Sequence, residues 1–321
     1  MVDCTRLESV SRKASWVRIP PPPHMLSKVL HHLYINPLEK CNLKCKICYT
    51  RKTDPILSNT EILDFVDRYN KVETVETITF CGGEVFALAS FPELLNTLLE
   101  KSIFLQVITN GTLDRLDEIE NPNAVNLIVS LDGLEPYHDA NRGPGNFAKS
   151  IAFMQKAHKL GFHLEVFSII THQNLPDIDT FEASLAKLLG FLPTITYHPR
   201  KPPTYLTHHP VSNIVGETDT FDFLSTDEMV TVMKERNVFP PKDLGCYQIA
   251  LASDGRVYGC CEGTIPIGKI TDDPKFLVDQ LKARLDVWQQ TTTLHNCLGC
   301  SQAEFMCGIK EYLQKIQTET V

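Results

Sequence analysis

No stretch of this 321-residue chain stays apolar over the ~18 residues that a membrane-spanning helix needs. No secretory signal is visible. A basic excess is missing too: the net charge is −8, which argues against nucleic acid as the main partner. No internal repeat is found. What remains is a chain of ordinary apolar content, long enough for one large domain plus a small appendage. The expected compartment is the cytoplasm. Residues 1–24 lack any helical or strand period, and Arg18-Ile-Pro-Pro-Pro-Pro23 within them is a stiff extended run. They are set aside, Cys4 included, as a disordered leader or artefact, with Met25 as the expected functional start.

Cysteine, by contrast, is plentiful, with 11 in the chain. Without a signal peptide, short spacings point to metal rather than disulfides. Cys41, Cys45 and Cys48 lie in Glu39-Lys-Cys-Asn-Leu-Lys-Cys-Lys-Ile-Cys-Tyr49 with the spacing C-x3-C-x2-C. Three thiolates can hold three irons of a cubane iron–sulfur cluster and leave the fourth open to a substrate or cofactor. Zinc is the alternative, but a structural zinc site wants four ligands, and no fourth Cys or His follows Cys48 at a suitable spacing. A second group, Cys246, Cys260, Cys261, Cys297, Cys300 and Cys307, fits an iron–sulfur cluster or a zinc ribbon equally well by spacing alone. Within it, Ala252-Ser-Asp-Gly-Arg-Val-Tyr-Gly-Cys260 reads as a hairpin turning at Asp254-Gly255. Cys81 is expected to be a buried small apolar residue.

Strand-like and helix-like segments alternate from Leu33 to about Pro199. Strands are expected at Leu33–Ile35, Thr77–Phe80, Leu105–Thr109, Val125–Leu131, Glu165–Ile170 and Thr194–His198, short and rich in Val, Ile, Thr and Phe as buried parallel strands are. Helices are expected after the capping box Ser58-Asn-Thr-Glu61, at Phe91–Glu100, Phe147–Leu160 and Phe181–Leu189, and a short one after Ser225-Thr-Asp-Glu228. The fold class is therefore α/β: a partial (β/α)6 TIM-like barrel with a small Cys-rich C-terminal subdomain. The expected domains are a core over 25–200, a connecting segment over 201–244 with an irregular Pro199–Asn213, and the auxiliary subdomain over 245–321, where the period is lost.

Active sites of such folds gather at the C-terminal ends of strands, and three motifs fall there. Phe80-Cys-Gly-Gly-Glu84 offers two glycines where a ligand can approach the backbone, followed by a carboxylate. Ile108-Thr-Asn-Gly-Thr112 ends the third strand. Val129-Ser-Leu-Asp-Gly-Leu-Glu-Pro-Tyr-His-Asp-Ala-Asn-Arg-Gly143 ends the fourth, and its Arg142 has the fork geometry for a carboxylate. Asp132 and His138 are expected to fix that loop rather than to react.

The triad with these motifs resembles the radical S-adenosylmethionine (radical SAM) superfamily. Two details depart from its commonest form: Ile47 stands where an aromatic usually precedes the third Cys, and Val85 where Pro usually follows Gly-Gly-Glu. The resemblance implies a [4Fe–4S] cluster on Cys41, Cys45 and Cys48. It implies cofactor contacts from Gly82, Gly83, Glu84, Asn110, Ser130 and Arg142. It also implies reductive cleavage of S-adenosylmethionine to a 5′-deoxyadenosyl radical that takes a hydrogen atom from substrate. The C-terminal cysteines resemble SPASM and "twitch" extensions. The full SPASM pattern needs more cysteines than this segment supplies, so one auxiliary cluster is expected. Its ligands are Cys246, Cys260, Cys297 and Cys300, with Cys261 and Cys307 as contenders. Cys261 as hydrogen-atom donor and Glu262 as substrate base are further candidates. The S-L-D-G segment and the tail favour a peptide or protein substrate; a small molecule is the rival, and a non-enzymatic zinc or iron–sulfur protein the third reading. No leader-binding domain is expected between Met25 and Cys41. An external one-electron donor, flavodoxin- or ferredoxin-like, is implied.

Overall fold

The computed structural model describes residues 30–48, 52–200, 221–232, 236, 246–261 and 266–291. The leader, most of the Pro- and His-rich connection, Glu262, Cys297, Cys300 and Cys307 lie outside the described residues.

The expected alternation is present. In chain order come β1 (His32–Ile35), α1 (Asn59–Tyr69), β2 (Thr77–Phe80), α2 (Phe91–Leu99), β3 (Phe104–Thr109) and β4 (Val125–Ser130). Then follow α3 (Glu135–Arg142), α4 (Asn146–Leu160), β5 (His163–Ile170), α5 (Ile178–Leu189) and β6 (Thr194–Pro199). Ser58 and Glu61 start α1 with the reciprocal bonds of a capping box, satisfying amides that the first turn leaves orphaned. Ser225 and Glu228 repeat the device at α6 (Thr226–Thr231).

Among the described residues the sheet runs β6-β5-β4-β3-β2-β1-β7-β8-β9. β1 to β6 are all parallel, and the sheet is open. β7 (Cys246–Leu251) lies parallel to the other side of β1. β8 (Arg256–Cys260) and β9 (Gly268–Lys269) follow antiparallel. The predicted hairpin therefore forms, but as an extension of the core sheet at the β1 edge. Two helices go against expectation: α3, and α7 (Pro274–Thr291), which restores a helical period where none was foreseen and buries Leu277, Val278 and Leu281 in the core.

Register divides the strands into two faces. Leu33, Ile78, Leu105 and Val125 stand side by side, as do Ile35, Phe80, Val107 and Leu127. This outer face joins Phe65, Phe91, Met154 and Phe181 of the helices in one apolar core, with Phe80 edge-on to Phe91 at 5.2 Å. The inner face is mixed and polar. Tyr34, Thr79, Gln106 and Asn126 share one row. There the Thr79 hydroxyl lies 2.8 Å from His32 Nε2 and donates to Gln106 Oε1 at 2.7 Å. Asn126 Nδ2 donates to Glu165 Oε1 at 3.0 Å. Burial pushes the Glu165 carboxyl upward, against that bond.

Candidate active site at the C-terminal rim

The cysteine loop leaves β1 at the rim of the sheet and is tied down from three directions. From β2, the Gly83 and Glu84 amides donate to the carbonyls of Leu38 and Lys40, each at 3.0 Å. From β3, Asn110 Nδ2 donates to Asn42 Oδ1 at 2.9 Å and reaches Cys41 Sγ at 3.7 Å. From α3, Asn141 accepts the Lys46 amide on its carbonyl at 3.0 Å and the Ile47 amide on Oδ1 at 3.2 Å.

Cys41, Cys45 and Cys48 form no disulfide. Burial pushes the Cys45 thiol up to about 11, against the Arg142 guanidinium, and raises Cys41 as well. Cys45 also feels the sulfurs of Cys48 and Cys41 as like charges, and Cys41 feels that of Cys48. Three thiolates in one small loop thus repel one another until a cation offsets them. Cys41 Sγ accepts the Leu43 amide at 3.3 Å, the N–H···S bonding that tunes iron–sulfur ligands. Among the described residues no three His, Cys, Asp or Glu side chains converge on a single ion. A tetrahedral structural zinc site wants four ligands, whereas three thiolates suffice for a cubane that keeps one iron open. The donor set fits the cubane.

The two glycines lie against the cysteine loop's own backbone. A Cβ on Gly82 (φ +145°) would stand 2.2 Å from the Leu38 carbonyl oxygen, and one on Gly83 would stand 2.0 Å from that of Lys40. The close approach anticipated for a ligand is made by the cysteine loop's own backbone. Glu84 is 0 % exposed. Its Oε1 accepts Thr109 Oγ1 at 2.8 Å and the Phe86 amide at 3.1 Å; Oε2 accepts the Asn110 amide at 2.7 Å. Burial pushes this carboxyl up, against those donors. Glu84 thereby joins the ends of β2 and β3 under the loop.

Arg142 is engaged within the protein. Its Nε and Nη2 meet Asp132 Oδ2 and Oδ1 at 2.5 and 3.0 Å, a bidentate pair. Asp132 also accepts Asn141 Nδ2 at 2.8 Å and the Ile169 amide at 3.1 Å. Burial opposes its ionisation, but Arg142 outweighs burial and holds Asp132 below the usual carboxylate range. His138 Nδ1 accepts the Asp132 amide at 3.2 Å. Burial first, and Arg142 second, bring this histidine down to about 4. Asp132 and His138 do fix the loop, as expected of them. Ser130 closes β4 beside Phe167. Asn141 went unforeseen, because an isolated Asn carries no signal. The usable clue was its helical spacing, with His138, Asn141 and Arg142 on one face of α3.

Register sets Cys246 opposite Cys260 in the β7–β8 hairpin, and Cys260 is buried. Cys261 lines a cavity of about 70 Å3 with Tyr34, Asn36, Glu39, Arg256 and Tyr258, beside the start of the cysteine loop. Cys81 is half-buried, not fully buried as expected. No helix among the described residues is long and apolar enough to cross a membrane.

Residues 35–185 match the sequence profile of the radical SAM superfamily. The subtilosin biosynthesis protein AlbA of Bacillus subtilis is 28% identical over 147 residues, 43% of this chain and 33% of AlbA; the chain thus spans a third of that relative's length. GTP 3′,8-cyclase of Aquifex aeolicus is 24% identical over 285 residues, 73% of this chain and 83% of the cyclase. The solved structure of anSMEcpe with bound AdoMet and Cp18Cys peptide superposes with a TM-score of 0.61 at 19% identity, over 77% of this chain and 79% of that one, and so shares the fold. The matched span opens at the last residue of β1 and runs into α5, taking in cysteine loop, glutamate strap and aspartate clamp together: residues 35–185 are a radical SAM domain.

Proposed function

We propose that this chain modifies a peptide or protein by radical SAM chemistry. One observation carries the reading: three motifs far apart in sequence converge on one loop of three cysteines. The family implies a [4Fe–4S] cluster and S-adenosylmethionine. When bound, they supply a one-electron cleavage that delivers a 5′-deoxyadenosyl radical to the substrate. Cys41, Cys45 and Cys48 would hold the cluster. Asn110 and Asn141 orient the loop that carries it, Arg142 acts on its thiols as a charge, and Ser130 lies on the same rim. The inner face offers the substrate a lining screened from bulk water. The peptide assignment draws support from AlbA, whose name concerns a bacteriocin, and from the peptide held by anSMEcpe.

One auxiliary iron–sulfur cluster on Cys246, Cys260, Cys297 and Cys300 belongs to the same proposal, with Cys261 and Cys307 as contenders. The facing register of Cys246 and Cys260 supports it. It would take an electron from the substrate or bind the substrate, and an external flavodoxin- or ferredoxin-like protein would supply the reducing electron. A second reading, a small-molecule substrate, is favoured by the cyclase being matched over 83% of its length. A hydrogen-atom-donor role for Cys261 is favoured by its place in the cavity beside Glu39.

The test is anaerobic reconstitution, then reductant and S-adenosylmethionine, with 5′-deoxyadenosine as readout. Wild type forms it and Cys45→Ala does not; an equal yield from both overturns the reading. Iron and sulfide counts fall by one cluster in Cys300→Ala while some cofactor cleavage survives; unchanged counts overturn the auxiliary assignment.

A further inference from the structure

The geometry points to Asn141 as the positioning residue of the cluster loop, setting where its amides aim and hence how tightly iron is held and at what potential. This inference rests on the cluster assignment of Cys41, Cys45 and Cys48. Between Cys45 and Cys48 the chain has two amides, those of Lys46 and Ile47. Both are taken by Asn141, one by its carbonyl at 3.0 Å and one by its side chain at 3.2 Å. The remaining side-chain group of Asn141, Nδ2, donates at 2.8 Å to Asp132 Oδ2. The same oxygen receives Arg142 Nε, and the Arg142 guanidinium interacts with Cys45 and Cys48 as charges. Two successive residues of α3 therefore act on one turn from one anchor. Asn141 fixes its backbone, and Arg142 faces its thiols. Asn141 is 2 % exposed, so its own polar groups are shielded from bulk water.

The consequence is directional. Amides bound to Asn141 are not donating to cluster sulfur. Freed, the Ile47 amide can turn toward sulfur, and an added N–H···S bond favours the more negative, reduced cluster, raising its potential. The loop also becomes looser around the metal.

The experiment compares reconstituted wild type with Asn141→Leu, which keeps the side chain's branching and removes its acceptor and donor. Expected are iron loss to a chelator faster by about tenfold or more and a reduction midpoint shifted upward in an EPR-monitored titration. Because a buried substitution can disturb folding, a second measurement uses wild type alone. Hydrogen exchange at Lys46 and Ile47 is slowed in both iron-free and reconstituted protein, because the fold rather than the metal makes the bonds. Unprotected amides in both states, or an Asn141→Leu protein with wild-type iron release and midpoint, overturns the inference. Wild type that takes up no iron sinks the cluster assignment and this inference together; iron uptake with an unmoved midpoint sinks this one alone.

Discussion

The two faces of β1 to β6 are built from alternate residues of the same strands, yet they obey different rules. The outer face is apolar almost without interruption and merges with the helices. Its energy comes from area removed from water, so it is large and indifferent to exact orientation. The inner face and the rim are polar, and their groups hold one another: Thr79 between His32 and Gln106, Asn126 on Glu165, Arg142 and Asn141 on Asp132. Hydrogen bonds there contribute modestly to net stability but fix direction. The outer face keeps the molecule folded, and the rim decides where three thiols sit.

That division can be broken by mutation. Phe80→Ala on the outer face should cost about 3–5 kcal/mol in denaturant unfolding while leaving iron retention per folded molecule near wild type; early iron loss would show that the faces are not separable. Asp132→Asn leaves the Arg142 guanidinium short of its partner charge and should cost about 3 kcal/mol. Its iron release should quicken far more than that of Phe80→Ala, and equal release rates would abolish the distinction.

A smaller effect is set by pH. His32 and His138 are brought from 6.5 down to about 4, by burial first. The unfolded chain therefore takes up these protons first as pH falls. Their contribution is complete above about 6.5 and is lost toward about 4, on the order of 3 kcal/mol for each histidine. Unfolding of iron-free protein across that window should show the slope, and His138→Asn should flatten part of it; a flat wild-type profile contradicts the assignment. Smallest is Thr79→Val, which strips one hydroxyl from the inner face at about 1 kcal/mol. A cost matching Phe80→Ala would place that hydroxyl on a par with the core.

Much of this was legible in the residues. The six parallel strands show as short β-branched and aromatic runs, and α1 shows through its capping box, because those signals are local. α3 was missed for a physical reason: it buries His138 and Asn141 rather than an apolar stripe, so it has no hydrophobic period to read. α7 was missed because cysteines dominated the reading of that region, although Leu277, Val278 and Leu281 pack on the sheet. At the site, the thiols and the glutamate strap were visible. The engagement of Arg142 with Asp132 was not, since a guanidinium fork suits an internal carboxylate as well as a cofactor's. The true neighbour of Gly82 and Gly83 emerged only with tertiary structure, because the Leu38 and Lys40 carbonyls reach them from another part of the chain.

β1 leads straight into the cysteine loop, yet its second flank is covered by residues 246–251, which a ribosome makes long after it. While the chain is growing, the strand beside the loop shows a bare row of amides and carbonyls, the kind of border to which stray strands attach. Its closure is a long-range, slow-forming contact. Translation order thus leaves the birthplace of the cluster open on one side until residues 246–251 have emerged.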